Sequence, residues 1–472
     1  MLQLLPFRTS SPHLNKRRGL ALALLLLSLA FFIVRGYENE YSVLRSIDFK
    51  QPYASARCLL KGCDPYSESQ THQAYSEAHG TDDEGVFVPY SALYPPFSLA
   101  VLAPLAALPY GAAHTIWDGM IAGLFSFAVL LVADLCLALG ATVPIVVLAA
   151  FAADSTILLM EGQVSGIVIS LLVIGFWCLL RQRFFWVAVT CLSLALLLKP
   201  HDAALPVLYL LFAGARWRKA FFLIAGSFAV FALVTSLWCA SRPASRHWEP
   251  ELAANVAGNE TAGNANDPTR GHVEAMQVTN LQALVGAFDT RPAVDNALAG
   301  LLSVVLLLAW ACPALRMPQG LEKHLLALAA MASMTLLPVY HRQYDTRLLV
   351  LAFPAVALLW RRHGRWGVAA VLLMCGATYS CAHQTLHRLA QGHAAAILQA
   401  GPLRTLCFRP LPETALLLTL FFLAAFYREW LRPFEAAVGP IRTTPLPLSG
   451  HHVSGPGASK PALAYLHSGE AS

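Results

Sequence analysis

Apolar runs long enough to cross a bilayer recur along most of this chain, and that recurrence constrains the fold more than any single motif. A membrane span needs about 20 mostly apolar residues. The runs Ala220–Ala240, Val294–Cys312 and Thr414–Phe426 reach or approach that length. Charged residues make up 13% of the 472-residue chain, against about 25% in soluble domains, which is too few to cover a soluble surface of this size. The expected class is therefore an all-α polytopic membrane protein. The net charge of +6 is modest and the basic residues fall in short clusters between apolar runs. That pattern suits orientation signals better than a nucleic-acid surface, so the bilayer is kept as a partner and nucleic acid is set aside.

The basic clusters give an expected topology. Lys16, Arg17 and Arg18 precede the apolar run Leu20–Val34, which lacks small residues placed for signal cleavage before Arg35 and reads as an uncleaved first span entered from the cytoplasm. The other clusters are Arg181/Arg183, Arg216/Arg218/Lys219, Arg316/Lys323, Arg361/Arg362/Arg365 and Arg428/Arg432. All face the cytoplasm if alternate loops are external. The outward segments are then residues 36–95, Glu161–Gln163, Lys199–Asp202, residues 241–293, Tyr340–Arg347 and residues 384–412. Parity requires that one of the three runs 97–109, 113–139 and 143–160 does not span, and the short, proline-bracketed 97–109 is the candidate. About 12 spans follow, with both ends cytoplasmic. The expected organisation is a cytoplasmic N-terminus at 1–19, a membrane-embedded domain at 20–432 with large outer loops at 36–95 and 241–293, and a disordered Pro/Gly/Ser/His-rich cytoplasmic tail at 433–472.

Several polar groups stand out against this background. Asp48 lies about a dozen residues past the first span, close enough to the surface to meet a headgroup. It reads either as a helix-capping aspartate or as a carboxylate able to take a proton from a hydroxyl nucleophile. Asp64-Pro65-Tyr66 and Tyr94-Pro95-Pro96 have the composition of turns and rigid helix starts, and Asp82, Asp83 and Glu84 that of a solvated loop. Lys199 must sit near a membrane end, snorkel or face a polar cavity. In Tyr340–Arg347, helical geometry would put His341 and Asp345 on one face, while Arg342 and Arg347 supply cations. Gln163 reads either as a sugar-binding amide or as a bridge between helices. Asp118, Asp134 and Asp154 lie in or beside apolar runs, where interhelical bonding is the default reading and proton coupling in a transporter the rival one. The ten cysteines show no C-x-x-C or His/Cys zinc spacing. Cys58 and Cys63, in the first outer loop, are placed where a disulfide is permitted.

In order along the chain stand a basic start, one span, Asp48-Phe49, Gly62-x-Asp64-Pro65-Tyr66, Tyr94-Pro95-Pro96, Glu161-Gly162-Gln163 and Lys199-Pro200. Thr279-Asn280-Leu281-Gln282 and Tyr340-His341-Arg342-Gln343-Tyr344-Asp345 follow. Together they resemble glycosyltransferase family 87 over roughly residues 20–430. The resemblance implies a GT-C bundle and membrane glycosyltransfer, with polyprenyl-phosphate-mannose donors among those the family uses. It implies catalytic base for Asp48, since GT-C enzymes commonly place an aspartate just past the first span. The Asp-Phe pair departs from the Asp-Glu pair of the protein O-mannosyltransferase and aminoarabinose transferase families, which argues against those as close relatives.

The expected activity is transfer of a hexose, mannose by the resemblance, from a polyprenyl-phosphate donor to a hydroxyl of a lipid or glycan acceptor. It would occur at the outer face of a bacterial cytoplasmic membrane, by a single inverting displacement. Lys199, His341, Arg342, Arg347, Gln163, Tyr344 and Asp345 are the candidates for holding donor phosphate and sugar. No cofactor is expected and no metal ligands are assigned. The alternative is a secondary transporter or lipid flippase that works through the intramembrane carboxylates.

Overall fold

A computed structural model of the protein describes residues 12–39, 47–80, 92–259, 278–286, 288, 291–362, 364–380 and 410–432. Among them every regular element is helical, and a single antiparallel bridge joins Val278 to Arg342. Asp82, Asp83 and Glu84, the loop at 384–409 and the tail from 433 lie outside the described residues.

The first third of the chain comprises α1 (Pro12–Asn39), α2 (Ile47–Lys61), α3 (Glu68–Ser76), α4 (Pro96–Ala106), α5 (Tyr110–Ala138), α6 (Val143–Ala153) and α7 (Ile157–Met160). Next come α8 (Val164–Leu180), α9 (Phe185–Leu198), α10 (Pro200–Tyr209), α11 (Ala215–Ala240) and α12 (Trp248–Asn259). The chain ends in α13 (Leu281–Val285), α14 (Pro292–Arg316), α15 (Leu321–Thr335), α16 (Phe353–Arg362), α17 (Arg365–Ser380) and α18 (Pro410–Leu431). Among the described residues six stretches are long and apolar enough to cross a membrane: Lys16–Glu38, Tyr110–Ala138, Val143–Met160, Ala215–Ala240, Ala293–Arg316 and Pro410–Leu431. Four shorter apolar helices accompany them, at Pro96–Ala106, Val164–Leu180, Phe185–Leu198 and Arg365–Thr378. The twelve spans expected from loop parity are thus not reproduced as span-length helices. The chain breaks at Lys199–Pro200 and again through Tyr340–Tyr344, and each break divides an apolar stretch into short helices.

Burial sorts these helices by role. Nearly every side chain of α8 is buried, as expected of a helix apolar on all sides at the centre of a bundle. By contrast α11 exposes Phe222, Val230, Leu233, Val234 and Leu237, a surface that suits lipid and not water. The 29 residues of α5 at about 1.5 Å each give a rod of about 43 Å, longer than a hydrocarbon core of roughly 30 Å. Its start packs on the first-loop helix, where Tyr110 stacks 6.2 Å from Phe49. Past its other end, the carbonyl of Gly140 accepts from Arg361 at 3.1 Å.

The segment that follows α1, expected to be the first outer loop, is tied together by local chemistry. Tyr53 donates to the Leu108 carbonyl at 2.6 Å, and Arg57 to that of Ala106 at 2.8 Å, so α2 is clamped to the end of α4. The Asp64 carboxylate accepts from the Tyr66 amide at 2.9 Å, and the Tyr66 hydroxyl donates to the Tyr94 carbonyl at 3.1 Å. Asp64-Pro65-Tyr66 is therefore a turn that fastens the strap leading into α4. Cys58 and Cys63 are joined by a disulfide that closes the end of α2.

The turn between α7 and α8 depends on a glycine. Gly162 has φ +63°, its carbonyl accepts from the Trp117 indole at 2.8 Å, and Trp117 stacks 4.7 Å from Phe49. An L-residue in the left-handed region costs about 1–2 kcal/mol. Gly162→Ala is therefore expected to lower the melting temperature in detergent by several degrees, by scanning fluorimetry. Gly123→Ala, in open space on α5, should leave it level or higher. Equal melting of Gly162→Ala and the unsubstituted protein would contradict the strained turn.

Candidate active site

Four segments far apart in sequence meet beside the start of α8. They are the first turn of α2, the turn Glu161–Gln163, the break Lys199–Asp202 and the stretch Tyr340–Asp345. The Asp48 amide donates to the Glu161 carbonyl at 3.0 Å, which fixes the α2 start on the α7–α8 turn. Tyr340–Tyr344 is held by residues 278–281. The Thr279 amide donates to the His341 carbonyl at 2.7 Å and the Leu281 amide to that of Leu337 at 2.9 Å. Asn280 caps α13 through the Ala283 amide at 2.8 Å. The motif Thr279-Asn280-Leu281-Gln282 thus acts as the brace of the 340–345 loop.

Lys199 is the hub of the buried polar network. Pro200 starts α10 and leaves Lys199 outside helical geometry, at φ −148° and ψ 84°, so its side chain turns inward. The ammonium donates to the Ser165 hydroxyl at 2.7 Å and to Asp345 Oδ1, and pairs with Asp202 Oδ2 at 3.3 Å. It also stands over the Tyr344 ring, 5.1 Å from the centroid. Asp345 accepts in addition from the Ser165 hydroxyl at 2.6 Å and, through Oδ2, from the Arg342 amide at 2.9 Å.

His341 does not pair with Asp345 as helical spacing suggested. The helical turn begins only at Asp345, so residue 341 lies in extended chain and its ring reaches Asp202 instead, with Nε2 3.2 Å from Oδ1. His201 Nε2 lies 3.7 Å from the same oxygen.

Asp48 keeps partial access to solvent, and its carboxyl is hydrogen bonded to that of Glu161. Burial raises the Asp48 carboxyl above the ordinary aspartate range, against the pull of Arg342 and Lys199. Burial together with the Asp48 charge pushes Glu161 further, well above the usual glutamate value. A hydrogen-bonded carboxyl pair shares one proton, and the bond from Glu161 opposes the rise at Asp48.

The other expected site residues divide. Arg342 lies within electrostatic reach of both carboxyls and belongs to the cluster. Gln163 is buried at the start of α8, beside Ser165 in sequence. Arg347 is turned elsewhere: its guanidinium pairs with Asp154 Oδ2 at 3.0 Å, donates to the Asp154 carbonyl at 2.9 Å and covers the Phe151 ring. The remaining intramembrane acids are also engaged, Asp118 with His114 and Asp134 with Arg181 and Trp177. Asp134 and Asp154 bond between helices and Asp118 within its own helix, and these partners do not favour a proton-coupled transporter. Glu161, Ser165, Asp202 and His201 were not among the site residues expected from sequence. Of these Glu161 stood in the Glu161-Gly162-Gln163 motif without a role of its own, and Asp202 lay three positions from Lys199 beyond the helix-starting proline.

A bundle of apolar helices thus encloses a carboxylate within electrostatic reach of two cations. The family model for glycosyltransferase family 87 matches residues 92–341, more than half of the chain. The chain belongs to that family and is a multi-pass membrane glycosyltransferase. No curated protein and no solved structure matches it. The matched stretch contains Glu161, Lys199, Asp202 and His341, whereas Asp48 and Arg342–Asp345 lie outside it and enter the site through the contacts above.

Two outcomes follow from this geometry. Without the donor hydrogen bond from Glu161, Asp48 should hold its proton to higher pH, so Glu161→Ala should move the acid limb of the transfer rate upward. Glu161→Gln retains a donor and should leave the limb near its original place; identical profiles for all three proteins would contradict the shared proton. Removing one partner of a buried ion pair costs about 3–5 kcal/mol. Asp154→Ala should therefore destabilise strongly in thermal unfolding, and Asp154→Leu with Arg347→Met should recover much of the loss.

Proposed function

We propose that the protein transfers a hexose, mannose in the first instance, from a polyprenyl-phosphate carrier to a hydroxyl of a lipid or glycan acceptor on the outer face of a bacterial cytoplasmic membrane. The observation that carries this reading is the convergence of Asp48 with Arg342 and Lys199. A lipid-phosphate donor needs a base for the acceptor and cations for the leaving group, because negative charge grows on the phosphate as the sugar departs.

In the proposed step the acceptor oxygen attacks the anomeric carbon and its proton passes to Asp48. The bond from that carbon to the phosphate oxygen breaks, and the electron pair leaves with polyprenyl phosphate. One displacement inverts the configuration. Glu161 holds Asp48 in its ionised form. Arg342 is the cation disposed to meet the phosphate, while Lys199, already engaged by Asp202 and Asp345, contributes fixed positive charge. Tyr344 and Gln163 line the same region and suit contacts with the sugar. Arg347, engaged with Asp154, is assigned to the scaffold.

An outward-facing site is supported by the contacts at the two ends of the long helices. Beyond the C-terminus of α11, Arg242 donates to the Leu59 carbonyl of the first outer loop at 3.3 Å. At its other end Arg216 donates to the Gln182 carbonyl at 3.2 Å, between two basic clusters. Arg316 lies over Trp430 and Arg428 over Trp366, which gathers further basic clusters. The segments assigned outside thus associate with one another, as do those assigned inside, in accord with the positive-inside rule. We assign a GT-C transferase domain to 20–432, with cytoplasmic segments at 1–19 and 433–472.

The test is transfer of labelled mannose from polyprenyl-phosphate-mannose by membranes carrying the protein or Asp48→Asn at matched expression. Loss of a general base lowers turnover by about 10²–10⁴-fold, and that loss is expected. Near-normal transfer by well-folded Asp48→Asn would remove Asp48 from the role. Inactivity of the unsubstituted protein, with other polyprenyl-phosphate sugars also inert, would count against the donor class.

A further inference from the structure

His201, Asp202 and His341 bring three ligand atoms within 4.8 Å of one another, and their bonding leaves the cluster incomplete. His341 and Asp202 are almost wholly buried, at 0% and 1% exposure. His341 Nδ1 lies 2.9 Å from the Val339 carbonyl oxygen. A carbonyl only accepts, so Nδ1 carries the proton and, in the neutral ring, Nε2 presents a lone pair. That lone pair is aimed at Asp202 Oδ1, 3.2 Å away, and with the ring neutral neither atom receives a hydrogen bond, whereas a second proton on the ring would donate to Asp202. Two buried acceptors facing each other repel unless a cation lies between them. A ring tied through its second nitrogen to a backbone carbonyl is also the usual support of a metal-bound histidine.

We propose that His201, Asp202 and His341 bind a divalent transition ion of the Zn²⁺ type. The donor set of two imidazoles and one carboxylate suits that class, and three protein ligands leave one position open. Metal–ligand bonds of about 2.0–2.1 Å in tetrahedral arrangement put ligand atoms about 3.3 Å apart. The gap from His341 Nε2 to Asp202 Oδ1 is 3.2 Å, and from His201 Nε2 to the same oxygen 3.7 Å, so small rotations of the half-exposed His201 complete the site. Lys199 occupies the other Asp202 oxygen, Oδ2, at 3.3 Å and leaves Oδ1 to the metal. Charge agrees. Asp48, Glu161, Asp202 and Asp345 gather around Lys199 and Arg342, four carboxyls against two cations. One proton shared by Asp48 and Glu161 and a metal at Asp202 bring the cluster to a positive balance that suits an anionic phosphate.

Metal occupancy is read without turnover, so its failure and that of the transfer reading are separate results. The full chain is purified in detergent, stripped with a chelator and titrated with Co²⁺, following its visible d–d absorption, with Zn²⁺ added in competition. One saturable equivalent displaced by Zn²⁺ is expected. His201→Gln and His341→Gln should weaken it by at least roughly 10-fold, while His247→Gln, at an exposed histidine of the 241–259 segment, leaves it unchanged. His201 is partly exposed, so its variant keeps the test valid if His341→Gln folds poorly. The absence of a saturable Co²⁺ signal, or equal titrations for the unsubstituted protein and His201→Gln, would overturn the site and leave a proton on His341 as the group that binds it to Asp202.

Discussion

The ammonium of Lys199 is the charge around which the rest of the site is arranged. A lysine in hydrocarbon costs about 2.5–3.5 kcal/mol on insertion scales, and one buried within protein is tolerated only when paired and hydrogen bonded. Asp345, Asp202 and Ser165 satisfy Lys199 together. Their positions explain otherwise costly features, including a helix break at Lys199–Pro200 and a non-helical 340–344 loop between buried helices. Irregular backbone at such depth survives only where it is buried in protein or lines a cavity. Here it is braced by residues 278–281 and stocked with groups that need one another.

From that network the proposed active site follows by short steps. Asp345 accepts from the Arg342 amide and so anchors the loop that carries the second cation. The Glu161 turn, shaped by Gly162 and secured by Trp117, gives Asp48 a backbone partner and a carboxyl neighbour. A base must be neither so buried that it stays protonated nor so free that it is a poor proton acceptor. Burial raises Asp48, and Arg342, Lys199 and the Glu161 hydroxyl oppose that rise.

Much of the fold was legible in the sequence because membrane insertion writes itself in composition: the apolar runs correspond to helices of the structure. Span count was less legible, since a short apolar helix on either side of a buried break has the same composition as part of a span. The Asp64-Pro65-Tyr66 turn followed from its own chemistry. Asp48, Lys199, Arg342 and Asp345 were visible as charges that an apolar bundle must justify. Glu161 showed itself only as a turn residue, because its role depends on an Asp48 that is distant in sequence. The pairing with Asp345 that the spacing of His341 permitted does not form for a related reason: i to i+4 spacing pairs residues only in a helix, and the helical turn begins at Asp345. No local pattern could announce that residue 341 would meet residue 202.

The central claim is that one cluster, with Asp48 on one side and Arg342 and Lys199 on the other, straddles the bond that is broken. The most direct measurement is a cryo-EM structure of the protein in lipid nanodiscs with a non-transferable polyprenyl-phosphonate analogue of the donor. The account predicts the phosphonate beside Arg342 and Lys199, with the anomeric carbon turned toward Asp48 across a space wide enough for a hydroxyl. Density for the phosphonate among the basic residues at the other end of α5, or with Asp48 remote from the sugar, would contradict it.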